Sequence, residues 1–182
     1  MKIIRLFARK IITTILSNLK FERFNKESWH GFKDTSQDLA LYKKALIKTE
    51  NVDSDNLHKQ SRFLDLINVT RDLLNKNYLD EFVEVGCWRG HSSYILSELI
   101  QKSHHNLNLH IFDSFEGLSQ PTTNDHSFLN KGIHEVNRVR KMFSSDEDFV
   151  KNHVLKEFKF VKTYRGFIPS EFHKVEDKKF SL

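Results

Sequence analysis

The feature that most constrains the fold is a short apolar run, Glu81-Phe82-Val83-Glu84-Val85, which stops at Gly86 and gives way at Gly90 to helical periodicity. A run of that length bounded by glycine predicts a buried strand. Tyr94, Ile95, Leu96, Leu99 and Ile100 then recur at helical spacing, with Ser92 or Ser93 as the expected cap. Leu107, Leu109, Ile111 and Phe112 predict a second strand that ends at Asp113. Strand, glycine turn, helix and strand in that order form a parallel crossover unit, because parallel neighbours need a long connection between them.

The rest of the chain extends the alternation. Residues 21–60 are polar and mixed in charge, and they read as a loosely packed lead-in in which Leu39, Leu41, Tyr42, Leu46 and Ile47 can support a helix. A helix capped by Ser61 is expected to run through Phe63, Leu66, Ile67, Thr70, Leu73 and Leu74 and to lie on a sheet. Residues 114–131 read as a long loop. Val136, Val139 and Phe143 suggest one helix, and Ser145-Asp146-Glu147-Asp148 opens another. Phe158, Phe160 and Val161 predict a third strand, Pro169-Ser170-Glu171 starts a short helix, and Phe180-Ser181-Leu182 reads as a strand that has only begun. The expected fold class is α/β, a Rossmann-like doubly wound sheet. Two regions are expected, residues 1–60 as N-terminal helix and lead-in and residues 61–182 as the ligand-binding domain.

A glycine turn between a buried strand and a helix lets the backbone come close to a ligand, and the helix start supplies free N–H donors. Gly86 and Gly90 provide that geometry. A carboxylate in the same place selects against phosphate and for groups that donate hydrogen bonds, such as an ammonium or ribose hydroxyls, and Glu84 is that carboxylate. Asp113, at the tip of the second strand, stands where a dinucleotide-binding fold puts its ribose-binding acid. Its distance of 27 positions from Gly86 is longer than the usual separation of about 20.

Glu84-Val85-Gly86-Cys87-Trp88-Arg89-Gly90, followed by Ile111-Phe112-Asp113-Ser114-Phe115-Glu116-Gly117-Leu118, resembles the macrocin and mycinamicin O-methyltransferase family. The likeness starts at about Ser61, takes in Tyr164-Arg165-Gly166-Phe167-Ile168-Pro169, and leaves residues 1–60 uncovered. It implies a class I methyltransferase sheet, S-adenosyl-L-methionine as methyl donor and a small or sugar-containing hydroxyl acceptor. By the same resemblance Glu84, Gly86 and Gly90 shape the pocket for the methionine end, Asp113 accepts from the ribose hydroxyls, and Trp88, Ser92 and Ser114 join the cofactor set. Arg89 is a candidate partner for the cofactor carboxylate. The family holds a divalent cation, Mg, through an Asp-x-Asp element on the fourth strand. That element is expected beyond Leu182, so the sheet is read as its first half only and turnover as weak or absent. The catalytic group stays unassigned, and residues 81–85 are expected to be an exposed, association-prone edge that favours a homo-oligomer.

Hydrophobic residues at 38% and charged residues at 29% describe a globular chain. A net charge of +5 spread among many acids argues for no nucleic-acid partner. Cys87, the only cysteine, forms no internal disulfide and favours a cytoplasmic setting. The ten histidines show no His-Glu-x-x-His spacing and read as scattered surface residues. Residues 1–20 set Ile4, Phe7, Ile11, Ile12, Ile15 and Leu19 on one helical face and Lys2, Arg5, Arg9 and Lys20 on the other. Such a helix is compatible with peripheral membrane contact or with packing on protein, and its early charges exclude a spanning segment. Two other functions share parts of this pattern: a nucleotide or nicotinamide oxidoreductase, and a non-catalytic membrane-surface or scaffolding protein.

Overall fold

The computed structural model describes residues 35–76, 79–122, 124–125 and 132–182. The expected amphipathic helix at residues 1–20 lies outside them. The chain divides into two compact units, one up to Val69 and one from Thr70.

In the first unit, α1 (Thr35–Lys48) carries Leu41, Tyr42, Ala45 and Leu46 at helical spacing, and all four are buried. Within the lead-in, residues 35–48 are therefore a packed helix and not a loose segment. Its polar composition hid this, because only one narrow face is apolar. A single 3-10 turn, Val52–Ser54, leads to α2 (Leu57–Leu74). The expected cap at Ser61 is corrected: Asn56 ends the turn, and its Oδ1 accepts the Lys59 N–H at 2.9 Å. Asp55 ties the unit together, accepting from the Tyr42 hydroxyl at 2.7 Å and from Gln60 Nε2 at 3.1 Å.

The second unit holds a parallel sheet in the order β1 (Phe82–Val85), β2 (Leu109–Asp113), β3 (Val161–Arg165). Phe82 pairs with Leu109 and Leu109 with Val161, so the three strands end nearly level. The central strand β2 is buried from Leu109 to Phe112. Helix α3 (His91–Lys102) makes the crossover and buries Tyr94, Ile95, Leu96 and Ile100. Tyr94 meets Phe158 edge to face at 5.5 Å. α4 (Ile133–Met142) follows the long loop, and the short helix Glu147–Phe149 passes into a π-helical turn, Val150–Val154, before β3. Asp146 caps that start by accepting the Asp148 N–H at 2.9 Å.

Three expectations change here. The third strand begins at Val161 and not Phe158, because Phe158 is buried inside a turn where its carbonyl takes the Val161 N–H. What forms the strand is the more polar Val161-Lys162-Thr163-Tyr164-Arg165, half exposed and so invisible to a search for apolar runs.

The outer side of β1 is not open along its length either. Glu81 N–H donates to Lys179 O at 3.1 Å, Ser181 N–H to Glu81 O at 2.9 Å and Val83 N–H to Leu182 O at 2.7 Å. Residues 179–182 thus lie parallel to β1, on the side away from β2. Pairing by even four residues satisfies backbone groups that an edge would leave to another chain.

The histidines, finally, are not all at the surface: His91 and His110 are buried. His110 sits on the central strand and is itself covered. It is held between Glu81, which contacts Nε2, and the Tyr164 hydroxyl, 2.8 Å from Nδ1. Asn108 Nδ2 also donates to Glu81, at 2.7 Å. Against its partial burial, these hydrogen bonds keep the Glu81 carboxyl below the usual range. Among the described residues no helix is long and apolar enough to cross a membrane.

Candidate functional site

The three strands deliver their carboxyl ends to one cavity of about 460 Å³, where Gly86, Asp113 and Gly166 stand at the ends of β1, β2 and β3. In open parallel sheets this is where ligands bind, because loops diverge from the strand ends and leave a crevice. Trp88, Phe143, Leu118 and Phe167 give the cavity apolar walls, and Asp113 and Ser114 give it polar points.

The turn after β1 is held by the end of β2. Gly86 N–H donates to Phe112 O at 2.7 Å, and the Cys87 and Trp88 N–H groups both donate to Asp113 Oδ2 at 2.8 Å. Asp113 Oδ1 accepts the Phe115 N–H at 2.7 Å. A carboxylate offers about four lone-pair positions. Three are taken here by backbone N–H groups.

The chain folds this way because left-handed backbone is placed where it is tolerated. Gly86 has φ +83°, and nothing lies within 4 Å of the Cβ it lacks. Trp88 adopts φ +51°, a conformation that costs a side-chain-bearing residue on the order of 1 kcal/mol. It is retained because its own N–H and that of Cys87 both meet Asp113. The Trp88 Nε1–H is buried and has no acceptor among the described residues. Ser145 Oγ donates to Trp88 O at 2.5 Å, and Phe143 lies 6.4 Å from the Trp88 ring.

After Asp113 the loop turns back on itself. Ser114 Oγ donates to Gly117 O at 3.0 Å and accepts the Glu116 N–H at 3.2 Å. Gly117 has φ +90°, and a Cβ there would stand 2.1 Å from Arg140 O, so this position takes only glycine.

The expected site residues therefore separate into two groups. Gly86, Trp88, Asp113 and Ser114 come together at the cavity. Glu84, Gly90 and Ser92 are not among its lining residues, and they form a second cluster between β1 and the first turn of α3. Glu84 accepts hydrogen bonds from the Ser92 and Ser93 hydroxyls. Gly90 is the residue before α3, with φ +81°, so it takes the capping place expected of Ser92 or Ser93, whose hydroxyls are turned to Glu84. Burial pushes the Glu84 carboxyl from 4.5 up to about 7; the two serine hydroxyls oppose the rise and the charge on Asp113 adds to it. Burial likewise pushes the Cys87 thiol upward, so it is not a thiolate. Arg89 does not stand alone at the turn: its guanidinium lies 4.8 Å from the Phe149 ring.

Sequence reasoning missed Phe143 and Phe167 as cavity walls, because each reads as an ordinary apolar residue until the chain returns to the strand ends. Among the described residues no group of three or more His, Cys, Asp or Glu is placed to hold a metal ion.

A parallel α/β sheet with a glycine turn clamped by an acid at the next strand's tip is consistent with a methyltransferase-like fold. The family model for macrocin-O-methyltransferase (TylF) matches residues 17–179, and the chain belongs to that family. The match starts well upstream of Ser61, so it takes in α1 and most of the lead-in that the motifs alone leave out. No curated protein and no solved structure matches the chain. Its family makes it an O-methyltransferase at that level of description.

Proposed function

We propose that this chain binds S-adenosyl-L-methionine at the strand-end cavity and serves methyl transfer to a hydroxyl of a small or sugar-containing acceptor. The observation that carries the reading is the shared cavity of Gly86, Trp88, Asp113 and Ser114, with Asp113 at its edge already clamping the turn. Open space at the Gly86 Cβ position and the unsatisfied Trp88 Nε1–H favour a ligand with both a flat apolar part and hydrogen-bonding groups. The cofactor, when bound, supplies an electrophilic methyl group on a sulfonium.

Asp113 accepts from a hydroxyl of the ligand and holds the Cys87 and Trp88 peptide groups in place. Gly86 lets the backbone approach. Trp88, Phe143 and Phe167 exclude water from the apolar part, which strengthens every polar contact beside them. Glu84 is a positioning residue that fixes the start of α3 on β1, and its partial negative charge favours a cationic ligand nearby. The described residues offer no ligand set for a divalent cation.

Titration calorimetry of the full chain with S-adenosylhomocysteine tests this. Binding in the wild type and its loss in folded Asp113→Ala supports the reading. Absence of heat with folded wild-type protein overturns it and leaves a non-catalytic role for the same sheet.

A further inference from the structure

β3 is paired on one side only among the described residues, and the direction of its free groups follows from the register. Phe160 O accepts the Leu109 N–H at 3.2 Å and the Gly166 N–H donates to Asp113 O at 3.0 Å. Residues 160, 162, 164 and 166 therefore turn their peptide groups toward β2. Val161 and Thr163 turn theirs outward. Val161 N–H is used in a turn by Phe158 O, which leaves Val161 C=O and both groups of Thr163 facing away from the sheet.

They face a second cavity, separate from the strand-end site, of about 440 Å³. Lys151, Lys156 and Lys159 line it beside Val161 and Thr163, with Phe158 as part of its apolar floor, and no acidic residue is in the lining. Lys151 is partly neutralised by Glu147. Lys156 and Lys159 have no carboxylate partner among the described residues.

A free strand edge is a template for another strand, and lysines along such an edge repel copies of themselves. A second copy of this chain would bring the same lysine-rich edge against this one, so self-pairing through β3 is disfavoured. An incoming strand with carboxylates at alternate positions would meet complementary charge and complementary backbone together. We propose that the open edge of β3 and its lysine-lined cavity take an extended acidic peptide segment as an added strand. Five residues, about 16 Å at the usual rise, match the length of β3.

Fluorescence anisotropy with a labelled hexapeptide alternating glutamate and valine, titrated with the full chain at low salt, reads this out. Binding is expected, about tenfold weaker for the Lys156→Glu, Lys159→Glu double variant. N-methylation of the peptide at one set of alternate residues should abolish binding, and at the other set should leave it intact. Thr163→Pro removes an outward donor and should weaken binding while circular dichroism stays native. The proposal fails if no binding is seen. It fails if both N-methylated sets bind alike, which would mean charge attraction without strand pairing. Displacement of the peptide by inorganic phosphate at matched ionic strength overturns it in favour of a small-anion site. Should Thr163→Pro not fold, the N-methylated peptides still decide.

Discussion

Replacing Glu84 by glutamine isolates the energetic role of the cluster at the start of α3. The folded state holds this carboxyl at about 7, against 4.5 for the same group in the open chain. Its pKa is raised on folding, so the folded state binds the proton more tightly. The stabilisation is fully present below about 4.5, decays as pH rises, and is lost above about 7.

At about 1.36 kcal/mol per pH unit, the whole window amounts to roughly 3 kcal/mol, and about 2.5 kcal/mol of it falls between pH 5 and pH 8. Glutamine keeps the shape, accepts from one serine hydroxyl and donates to the other, and does not titrate. Urea denaturation of both proteins at pH 5 and pH 8 gives four stabilities. Glu84→Gln should gain on the wild type by about 2.5 kcal/mol on going from pH 5 to pH 8, whatever the other groups do, since they are common to both. An unchanged difference between the two proteins across that range would show that Glu84 is ionised and solvated in the folded state, and the burial argument would be wrong.

Gly117→Ala should destabilise the chain by about 3 kcal/mol or more, measured by thermal melting, because the new methyl meets Arg140 O in a left-handed backbone. Tyr164→Phe removes the hydroxyl at His110 Nδ1 and should cost about 1–2 kcal/mol in urea denaturation by leaving a buried ring nitrogen unsatisfied. Asp113→Asn keeps the size of the side chain but weakens three charge-assisted bonds, and a loss of about 1–3 kcal/mol is expected together with weaker S-adenosylhomocysteine binding.

How much of this was legible beforehand depended on where the information sat. The first strand, its glycine turn, α3 and the second strand were readable, because Phe82, Tyr94, Ile95, Leu109 and Ile111 are buried and spaced at the period of their own element. Asp113 was readable as the acid at a strand tip. Its preoccupation with the Cys87 and Trp88 N–H groups was not, because that depends on a turn 25 residues away in the chain. Glu84 was readable as a carboxylate beside glycines, yet its direction was set by Ser92 and Ser93, which the capping rule assigned to the helix backbone. β3 lies three residues beyond the expected start at Phe158 because an edge strand need not be apolar, and Lys162, Thr163 and Arg165 carry no hydrophobic signal. α1 was underestimated because Tyr42, Ala45 and Leu46 form a face too narrow to stand out from its charged surroundings.

The clamp between Asp113 and the turn has a thermodynamic consequence. Two peptide units that a cofactor would otherwise have to freeze are already immobilised by the protein itself, at a left-handed tryptophan whose own N–H and that of Cys87 are both satisfied. A guest arriving at such a rigid cradle loses little of its binding free energy to ordering the host. The entropy of arranging that loop was spent when the sheet folded, so affinity at this end of the molecule is tied to the integrity of the first two strands.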